Sequence, residues 1–369
     1  MAFSLQSLTG AFSKLTSSFS QKDSESVLGV DIGTSSIKVV QLRQVKGVAV
    51  LETYGEIALG PYGTAEVGQS VSPTPEKIAE ALSDVIKAAN VSARSAGFSV
   101  PLSGSLINVI NLPTKDRAAL PSMIPIEARK YIPVPVSEVS LDWFVIPEEE
   151  AQFLNANNDE KKRTGTDVLL VAIHNQVLEK FQAVSKTSGV TPRFYEVEAF
   201  SMGRASYEHT TAPAMIIDMG ASSTRVYIVE FGIIDVSHTI ARGAQDITLS
   251  LAKSQGITFP EAETIKREKG LGSSETGTAV LEFIFSEARR IYLTYQRKEG
   301  KVISQVVLVG GGAELAGLQG IAAKYFDANV SLGSPFEKVA APAFISDVLR
   351  TTGPSFASAI GLALRSLSR

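Results

Sequence analysis

An acid, a glycine, three hydroxyl side chains and a lysine lie within eight residues near the N-terminal end of the chain. β-branched and aliphatic residues precede and follow them, which predicts two strands joined by a tight turn. Hydroxyls and backbone N–H groups at such a turn can surround an anion, and a lysine adds a point charge. Ordinary hairpin turns have a similar composition, so this segment alone leaves both interpretations open. The residues are Asp31, Gly33, Thr34, Ser35, Ser36 and Lys38.

Asp31 has a separate candidate role in this hairpin. It lies two residues before Gly33, so its carboxylate would repel a phosphate held at the turn unless a cation lay between them. Mg²⁺ in such sites is bound by one or two carboxylates together with the phosphates and water. Asp31 is therefore the candidate metal ligand, either directly or through water.

The same pattern returns 187 residues later without a gap. The acid, the glycine, both serines and a valine are identical, and the cation is kept as Arg225 in place of Lys38. Two such hairpins predict two similar lobes that share a cleft, an arrangement that suits a nucleoside triphosphate with Mg²⁺. Arg225 can either contact the phosphates or lie on the outer face of its strand. The second hairpin contains Asp218, Gly220, Ala221, Ser222, Ser223 and Arg225.

Three consecutive glycines form a third motif. Gly310, Gly311 and Gly312 follow a predicted buried strand at residues 305–309 and precede a predicted helix at residues 314–326. Backbone without side chains lets a flat ring or a ribose approach closely, and a helix N-terminus favours phosphate. The motif is not a P-loop, because it lacks the GxxxxGK[ST] pattern. It is not a Rossmann fingerprint either, because Leu315 stands where the third glycine is required.

Composition and charge exclude several classes of protein. The net charge of −3 gives no broad basic field for nucleic acid, and the absence of cysteine excludes disulfides and thiolate metal sites. No apolar run is long enough for a membrane span, and the N-terminus lacks the pattern of a signal peptide. Apolar residues near the N-terminus recur at helical spacing and form a stripe. This stripe predicts either an arm that is loose or docked on its own chain, or an amphipathic helix that binds a membrane or a partner groove. The stripe consists of Leu5, Leu8, Phe12, Leu15 and Phe19.

The order of hairpin, hairpin and glycine turn resembles the actin-like ATPase superfamily, which includes actin, the heat-shock chaperone ATPases, the sugar kinases, MreB and FtsA. The resemblance implies ATP and Mg²⁺ as cofactors, with the hairpins as phosphate motifs and Gly310-Gly311-Gly312 as the adenosine motif. It also implies that Glu263 and Lys266 contact the nucleoside, although a plain exposed helix is the alternative for these two. Residues 198–205 and 353–361 resemble the helices that connect the two lobes.

A narrower resemblance is to the PilM family of type IV pilus assembly proteins, and it runs from about residue 27 to residue 364. The most specific match is Tyr131-Ile132-Pro133-Val134-Pro135, and residues 189–200 are also similar. The resemblance implies an α/β, two-lobed actin-like ATPase fold with an FtsA/PilM-type extra subdomain, 1C, in the first lobe. Two positions depart from the family: Pro125-Ile126 replaces a bulkier, more helical pair, and Glu196 replaces an aspartate linked to water positioning.

The implied organisation divides the chain into the cores of the two lobes, 1A and 2A, and two further subdomains. Residues 1–26 are the arm and linker, 27–95 are 1A with the first hairpin, 96–173 are 1C, 174–212 return to 1A and form the first connecting helix, 213–256 are 2A with the second hairpin, 257–300 are 2B, 301–334 are 2A with the glycine motif, and 335–369 form the second connecting helix and return to 1A.

The PilM resemblance implies an ATP-binding cytoplasmic scaffold, peripheral on the inner membrane, in the type IV pilus assembly platform. Such a scaffold binds the N-terminal cytoplasmic peptide of a PilN-like membrane protein between 1A and 1C. Pilus motor ATPases and self-association are further implied contacts, nucleic acid is not, and the membrane is reached mainly through partners. A set of apolar residues either lines the peptide groove or belongs to the core: Tyr131, Ile132, Val134, Val136 and Trp143.

The sequence predicts at most a slow ATPase, because no strong general base stands out. Asp218 and Glu198 are the catalytic candidates for aligning water. Two alternative functions stay open. A sugar or acid kinase of the same superfamily needs a dedicated acceptor pocket, for which the chain shows no separate motif. A filament-forming protein like FtsA usually ends in a linker and an amphipathic helix, whereas residues 356–369 continue directly from the second connecting helix.

Overall fold

The computed structural model describes residues 25–148, 150–151, 165–208, 212–270 and 275–368. The predicted N-terminal arm, with its apolar stripe, lies outside the described residues. The same is true of most of the polar loop between residues 148 and 166.

The first lobe is built on a mixed five-stranded sheet in the order β3-β2-β1-β4-β8. The predicted pair of strands joined by a tight turn is confirmed, as β1 (Val27–Ile32) and β2 (Ser36–Val45). β3 (Val48–Ala58) pairs antiparallel with β2, and β4 (Ser95–Val100) and β8 (Thr191–Val197) add in parallel. Because side chains alternate along a strand, Val39 packs under α1 (Pro75–Ala88) and α3 (Asn175–Ser188) whereas Val40 faces the helices between the lobes.

The second lobe repeats this plan with the order β11-β10-β9-β12-β13. Its predicted hairpin is also confirmed, as β9 (Ala214–Met219) and β10 (Thr224–Glu230), and β11 (Ile233–Ile240) pairs antiparallel with β10. β12 (Gln305–Val309), at the predicted position, and β13 (Asn329–Leu332) add in parallel. One face of this sheet packs against α5 (Ala244–Gln255) and α7 (Glu275–Glu299). The short helix α6 (Phe259–Lys269) precedes α7.

A separate three-stranded antiparallel sheet, in the order β5-β7-β6, is inserted between β4 and α3. Its strands are β5 (Ser105–Leu112), β6 (Val139–Val145) and β7 (Thr166–His174), and α2 (Leu120–Ala128) covers one face. Pro125 lies in the interior of this helix.

Two helices pack between the lobe sheets, α4 (Glu198–Ser206) and α10 (Ala357–Leu367). α9 (Ser346–Thr352) leads towards α10. The prediction of a continuous helix over residues 314–326 is wrong. The 3₁₀ turn Gly311–Glu314 ends where Leu315 becomes extended. Gly317, in a left-handed conformation with a φ of +81°, then precedes the short helix α8 (Leu318–Ala322).

Candidate functional site

A cavity of about 850 Å³ lies between the two lobes. Every residue that the sequence singled out for nucleotide or metal binding or for catalysis lines it. They are Asp31, Gly33, Thr34, Ser35, Ser36, Lys38, Glu198, Asp218, Gly220, Ala221, Ser222, Ser223, Glu263, Lys266, Gly310, Gly311 and Gly312. The structure therefore brings all of them to one site, while the role of each stays a prediction.

The two hairpins close in the same way. Gly33 N donates to Ser36 O at 3.0 Å, and Gly220 N donates to Ser223 O at 3.0 Å. Their tips meet across the cleft, because the hydroxyl oxygens of Thr34 and Ser222 are 3.3 Å apart. The repeat in the sequence thus becomes two facing turns, from which hydroxyls and backbone N–H groups line one cavity.

The loop after β3 makes a second contact between the lobes. Ser70 N donates to the side-chain oxygen of Gln245 on α5 at 2.9 Å. Gly68 lies so close to Glu263 on α6 that a Cβ there would come within 2.9 Å of its carboxyl group. The lobes are therefore in contact at two places along the cavity in this structure.

Lys38 is held by its own lobe. Its Nζ lies 2.9 Å from Glu56 Oε1 and donates to Ser36 Oγ at 2.7 Å. Burial alone would lower the pKa of Lys38, but Glu56 and Asp31 outweigh it and raise that pKa above its ordinary value. Lys38 is thus a charged lysine that is already paired within the cleft.

Arg225 faces the cavity, and the alternative that places it on the outer face of its strand is wrong. It stands directly opposite Asp218 on the neighbouring strand, and its Nη1 donates to Asp218 Oδ2 at 3.0 Å. Its Nε lies 2.9 Å from Glu198 Oε1. Both catalytic candidates therefore share one buried guanidinium.

Glu198 and Asp218 are almost completely buried. Burial raises the pKa of Glu198 to about 7, against the opposing effect of Arg225, and the nearby Asp218 carboxylate adds to the increase. Burial likewise raises the pKa of Asp218, again opposed by Arg225. Glu198 Oε1 also accepts a hydrogen bond from Leu102 N at 2.7 Å. Both carboxylates are therefore engaged by Arg225 in this structure.

Asp31 is in a different situation. Its Oδ1 accepts a hydrogen bond from Ser99 Oγ at 2.5 Å. Within the described ranges it forms no ion pair, and no cluster of three or more histidine or carboxylate side chains there could enclose a metal ion. An open carboxylate of this kind fits Mg²⁺ that is otherwise coordinated by phosphate oxygens and water.

The glycine motif lies against the second hairpin. Gly310 has a φ of +86°, and a Cβ at this position would overlap the Asp218 carboxylate. A Cβ on Gly312 would overlap the side chain of Met219, whereas a Cβ on Gly311 would meet nothing within 4 Å. Only glycine fits at the first and third positions without displacing the strand that carries Asp218.

Glu263 and Lys266 are buried in an ion-pair cluster and not on a plain exposed helix. Their carboxylate and ammonium groups are 2.7 Å apart, and both bond to Thr248 Oγ1 on α5, at 2.7 Å and 2.8 Å. Burial lowers the pKa of Lys266 despite the attraction of Glu263. This cluster borders the cavity at the side of α5 and α6.

Several residues at the site carry no recognisable signal in the sequence. Ser99, Glu56 and Leu102 make the contacts described above from distant or unremarkable positions.

Glu196, the departure from the family pattern, lies in a buried cluster in which its carboxylate contacts Arg204 at 2.8 Å and Arg365 at 2.6 Å. Its position between α4 and α10 gives it a structural role.

The apolar residues near the three-stranded sheet have different environments. Ile132 is buried in the core of that sheet and α2, and Val134 and Trp143 pack against this core. Tyr131 is 40 % exposed.

No helix among the described residues is both long enough and apolar enough to cross a membrane.

Comparison with known proteins adds to this geometry. The sequence model of the family described as "Type IV pilus assembly protein PilM" matches residues 29–367. A structure described as "PilM-PilN type IV pilus biogenesis complex" is similar with a TM-score of 0.77 and 23% identity, over 92% of this chain and 98% of that chain.

Two more distant structures share the fold. The ethanolamine utilization protein EutJ from Carboxydothermus hydrogenoformans has a TM-score of 0.56 and 16% identity, over 92% of this chain and 90% of its own. MreB5 of Spiroplasma citri bound to ADP has a TM-score of 0.51 and 12% identity, over 94% and 98%. The architecture is therefore the two-lobed actin-like fold.

Proposed function

The chain belongs to the type IV pilus assembly protein PilM family, and on that premise we propose that it is an ATP-binding scaffold of the pilus assembly platform. In this proposal it lies on the cytoplasmic face of the inner membrane and binds the N-terminal cytoplasmic peptide of a PilN-like membrane protein. The family match over residues 29–367 carries the proposal, and the similar structure of a PilM-PilN complex supports the partner. The same match favours this function over a small-molecule kinase or an FtsA-like filament protein.

The two facing hairpins support the nucleotide part. Their backbone N–H groups and hydroxyls would hold the phosphates, and Gly311 would lie along the nucleoside beside Glu263 and Lys266. Asp31 is the residue that would hold Mg²⁺, which would neutralise phosphate charge when bound. The ion pairs from Arg225 to Asp218 and Glu198 support slow or absent hydrolysis, because they occupy both acids that could align water.

The cavity itself supports the peptide part. Beyond the hairpins it reaches Val177, Phe181 and Val184 on α3, next to Pro101 and Ser103. This is where the chain leaves the first sheet for the three-stranded sheet, which in this proposal is the core of subdomain 1C, residues 96–173. In this proposal an extended peptide with apolar side chains would lie along this end of the cavity, at the junction of 1A and 1C.

Calorimetry on the full chain tests both parts. We expect binding of ATP with Mg²⁺ and, separately, of a synthetic peptide with the N-terminal sequence of the PilN-like protein from the same organism. Val177→Asp should weaken peptide binding at least tenfold while ATP binding is retained, because a charge would lie beside the apolar side chains of the peptide. Gln182→Asp, at an exposed position on the same helix, is the matched control. Failure of the wild-type chain to bind either ligand would refute the proposal.

A further inference from the structure

The two cationic side chains of the hairpins, Lys38 and Arg225, differ in how many hydrogen-bond donors their existing contacts leave for a ligand. Lys38 has one ammonium group, and it is already engaged by Glu56 and Ser36. Arg225 has five N–H donors on a rigid plane, and its contacts with Asp218 and Glu198 engage Nη1 and Nε. These contacts leave the Nη2 amino group for another partner.

The position of Arg225 relative to the cavity is defined by its neighbours. It follows the last turn residue of the second hairpin, Ser223, by two residues, and its Nη1 would lie 3.5 Å from a Cβ on Gly220. The Glu263 and Lys266 cluster borders the cavity at α5 and α6. Arg225 instead contacts Glu198, whose carboxylate accepts a hydrogen bond from Leu102 N. A nucleotide whose base lies beside Glu263 and Lys266, and whose phosphates lie between the hairpin tips, would direct its terminal phosphate towards Arg225.

Two buried carboxylates hold the guanidinium in place. The Asp218 and Glu198 contacts come from two elements, β9 and the start of α4, so they restrain Arg225 in two directions. A side chain that is held in this way loses little conformational entropy when it binds a ligand. Guanidinium groups also match the geometry of phosphate oxygens better than ammonium groups do.

We propose that Arg225 recognises the terminal phosphate of a bound nucleoside triphosphate and thereby determines the preference of this site for a triphosphate over a diphosphate. The proposal rests on the nucleotide binding proposed above. It assigns to Arg225 the phosphate contact that the sequence pattern suggested for Lys38. It also explains why an arginine stands beside two carboxylates whose burial is otherwise unfavourable.

Titration calorimetry with ATP and with ADP, both with Mg²⁺, tests the assignment. We expect Arg225→Gln to weaken ATP binding by about tenfold or more, the loss typical of a charged hydrogen bond, and to change ADP binding less than about threefold. Arg225→Lys should give an intermediate loss for ATP. Arg290→Gln removes the same charge from an exposed ion pair on α7 and should leave both affinities unchanged.

Removing Arg225 also leaves two buried carboxylates without their cation, so the stability of each variant must be measured by thermal unfolding. If Arg225→Gln does not fold, the double variant Glu198→Gln with Arg225→Gln removes one carboxylate together with the cation and serves in its place. Equal losses for ATP and ADP, or no loss for ATP, would overturn the assignment while the proposed function stands. A wild-type chain that binds neither nucleotide would refute nucleotide binding itself.

Discussion

Gly361 of α10 lies directly against the backbone carbonyl of Ser201 on α4, where a Cβ would overlap the carbonyl oxygen. One turn earlier on α10, the hydroxyls of Ser358 and Ser201 are 3.1 Å apart. The two helices that pack between the lobes therefore touch through small side chains and bare backbone. Any enlargement at this crossing must change the spacing of the helices.

Substitution of Gly361 by alanine should destabilise the protein. We expect a loss of about 1–3 kcal/mol in the free energy of unfolding, because the added methyl group forces backbone apart at a packed crossing. Urea denaturation measures this loss. Gly320→Ala is the control, since that glycine lies within α8 with no atom within 4 Å of the new methyl group, and alanine there should be neutral or slightly stabilising. Equal stability of Gly361→Ala and the wild type would contradict the packing argument.

The Glu196 cluster predicts a specific pH dependence. Burial would raise the pKa of Glu196, but Arg204 and Arg365 overcome it and hold that pKa below its ordinary value of 4.5. Because the folded pKa is lower than the unfolded one, the cluster stabilises the protein fully above about pH 5, and this stability is lost as the pH falls below 4.5.

Glu196→Gln should therefore cost about 3 kcal/mol at pH 7, and the difference from the wild type should shrink at pH 4. Urea denaturation at the two pH values provides the measurement. Glu80→Gln removes an exposed carboxylate paired with Lys77 and should cost less than about 1 kcal/mol. A cost for Glu196→Gln that is the same at both pH values would show that its charge is not responsible.

Gly311 and Gly312 should respond differently to alanine. A methyl group on Gly311 meets no protein atom within 4 Å, and the residue lines the cavity. We expect Gly311→Ala to keep its melting temperature and to weaken ATP binding. Gly312→Ala should lower the melting temperature, because its methyl group overlaps Met219. Thermal unfolding and calorimetry on the same samples separate the two effects, and unchanged ATP affinity in Gly311→Ala would mean that the nucleotide does not pass this glycine.

Asp31→Asn should remove the effect of Mg²⁺ on ATP affinity. In the wild type we expect ATP to bind more weakly when EDTA removes the metal, because the Asp31 carboxylate then faces phosphate charge directly. In the variant the affinities with Mg²⁺ and with EDTA should be similar. Asp84→Asn, an exposed acid that accepts a hydrogen bond from Tyr62, is the control. A full Mg²⁺ effect in Asp31→Asn would exclude Asp31 as the metal ligand.

The hairpins could be found from the sequence because their signals are local. The alternation of apolar residues, the glycine and the hydroxyls of Gly33–Ser36 lie within a few residues, and the repeat at Gly220–Ser223 shows that the pattern is not accidental. The helix prediction over residues 314–326 was wrong for a reason that is also local. Gly317 adopts a left-handed conformation there, which nothing in the apolar pattern around it revealed.

What the sequence alone determined was the family, the two-lobed architecture and the hairpin and glycine residues at the cleft. What only the tertiary structure decided was how those residues are paired. Lys38 and Arg225 occupy equivalent positions in the repeat, yet the first is engaged by Glu56 from β3 and the second by Asp218 and Glu198. The physical reason is that a charge at a buried position is stabilised by whichever opposite charge the fold brings near it. Those partners come from strands and helices that are distant in the chain.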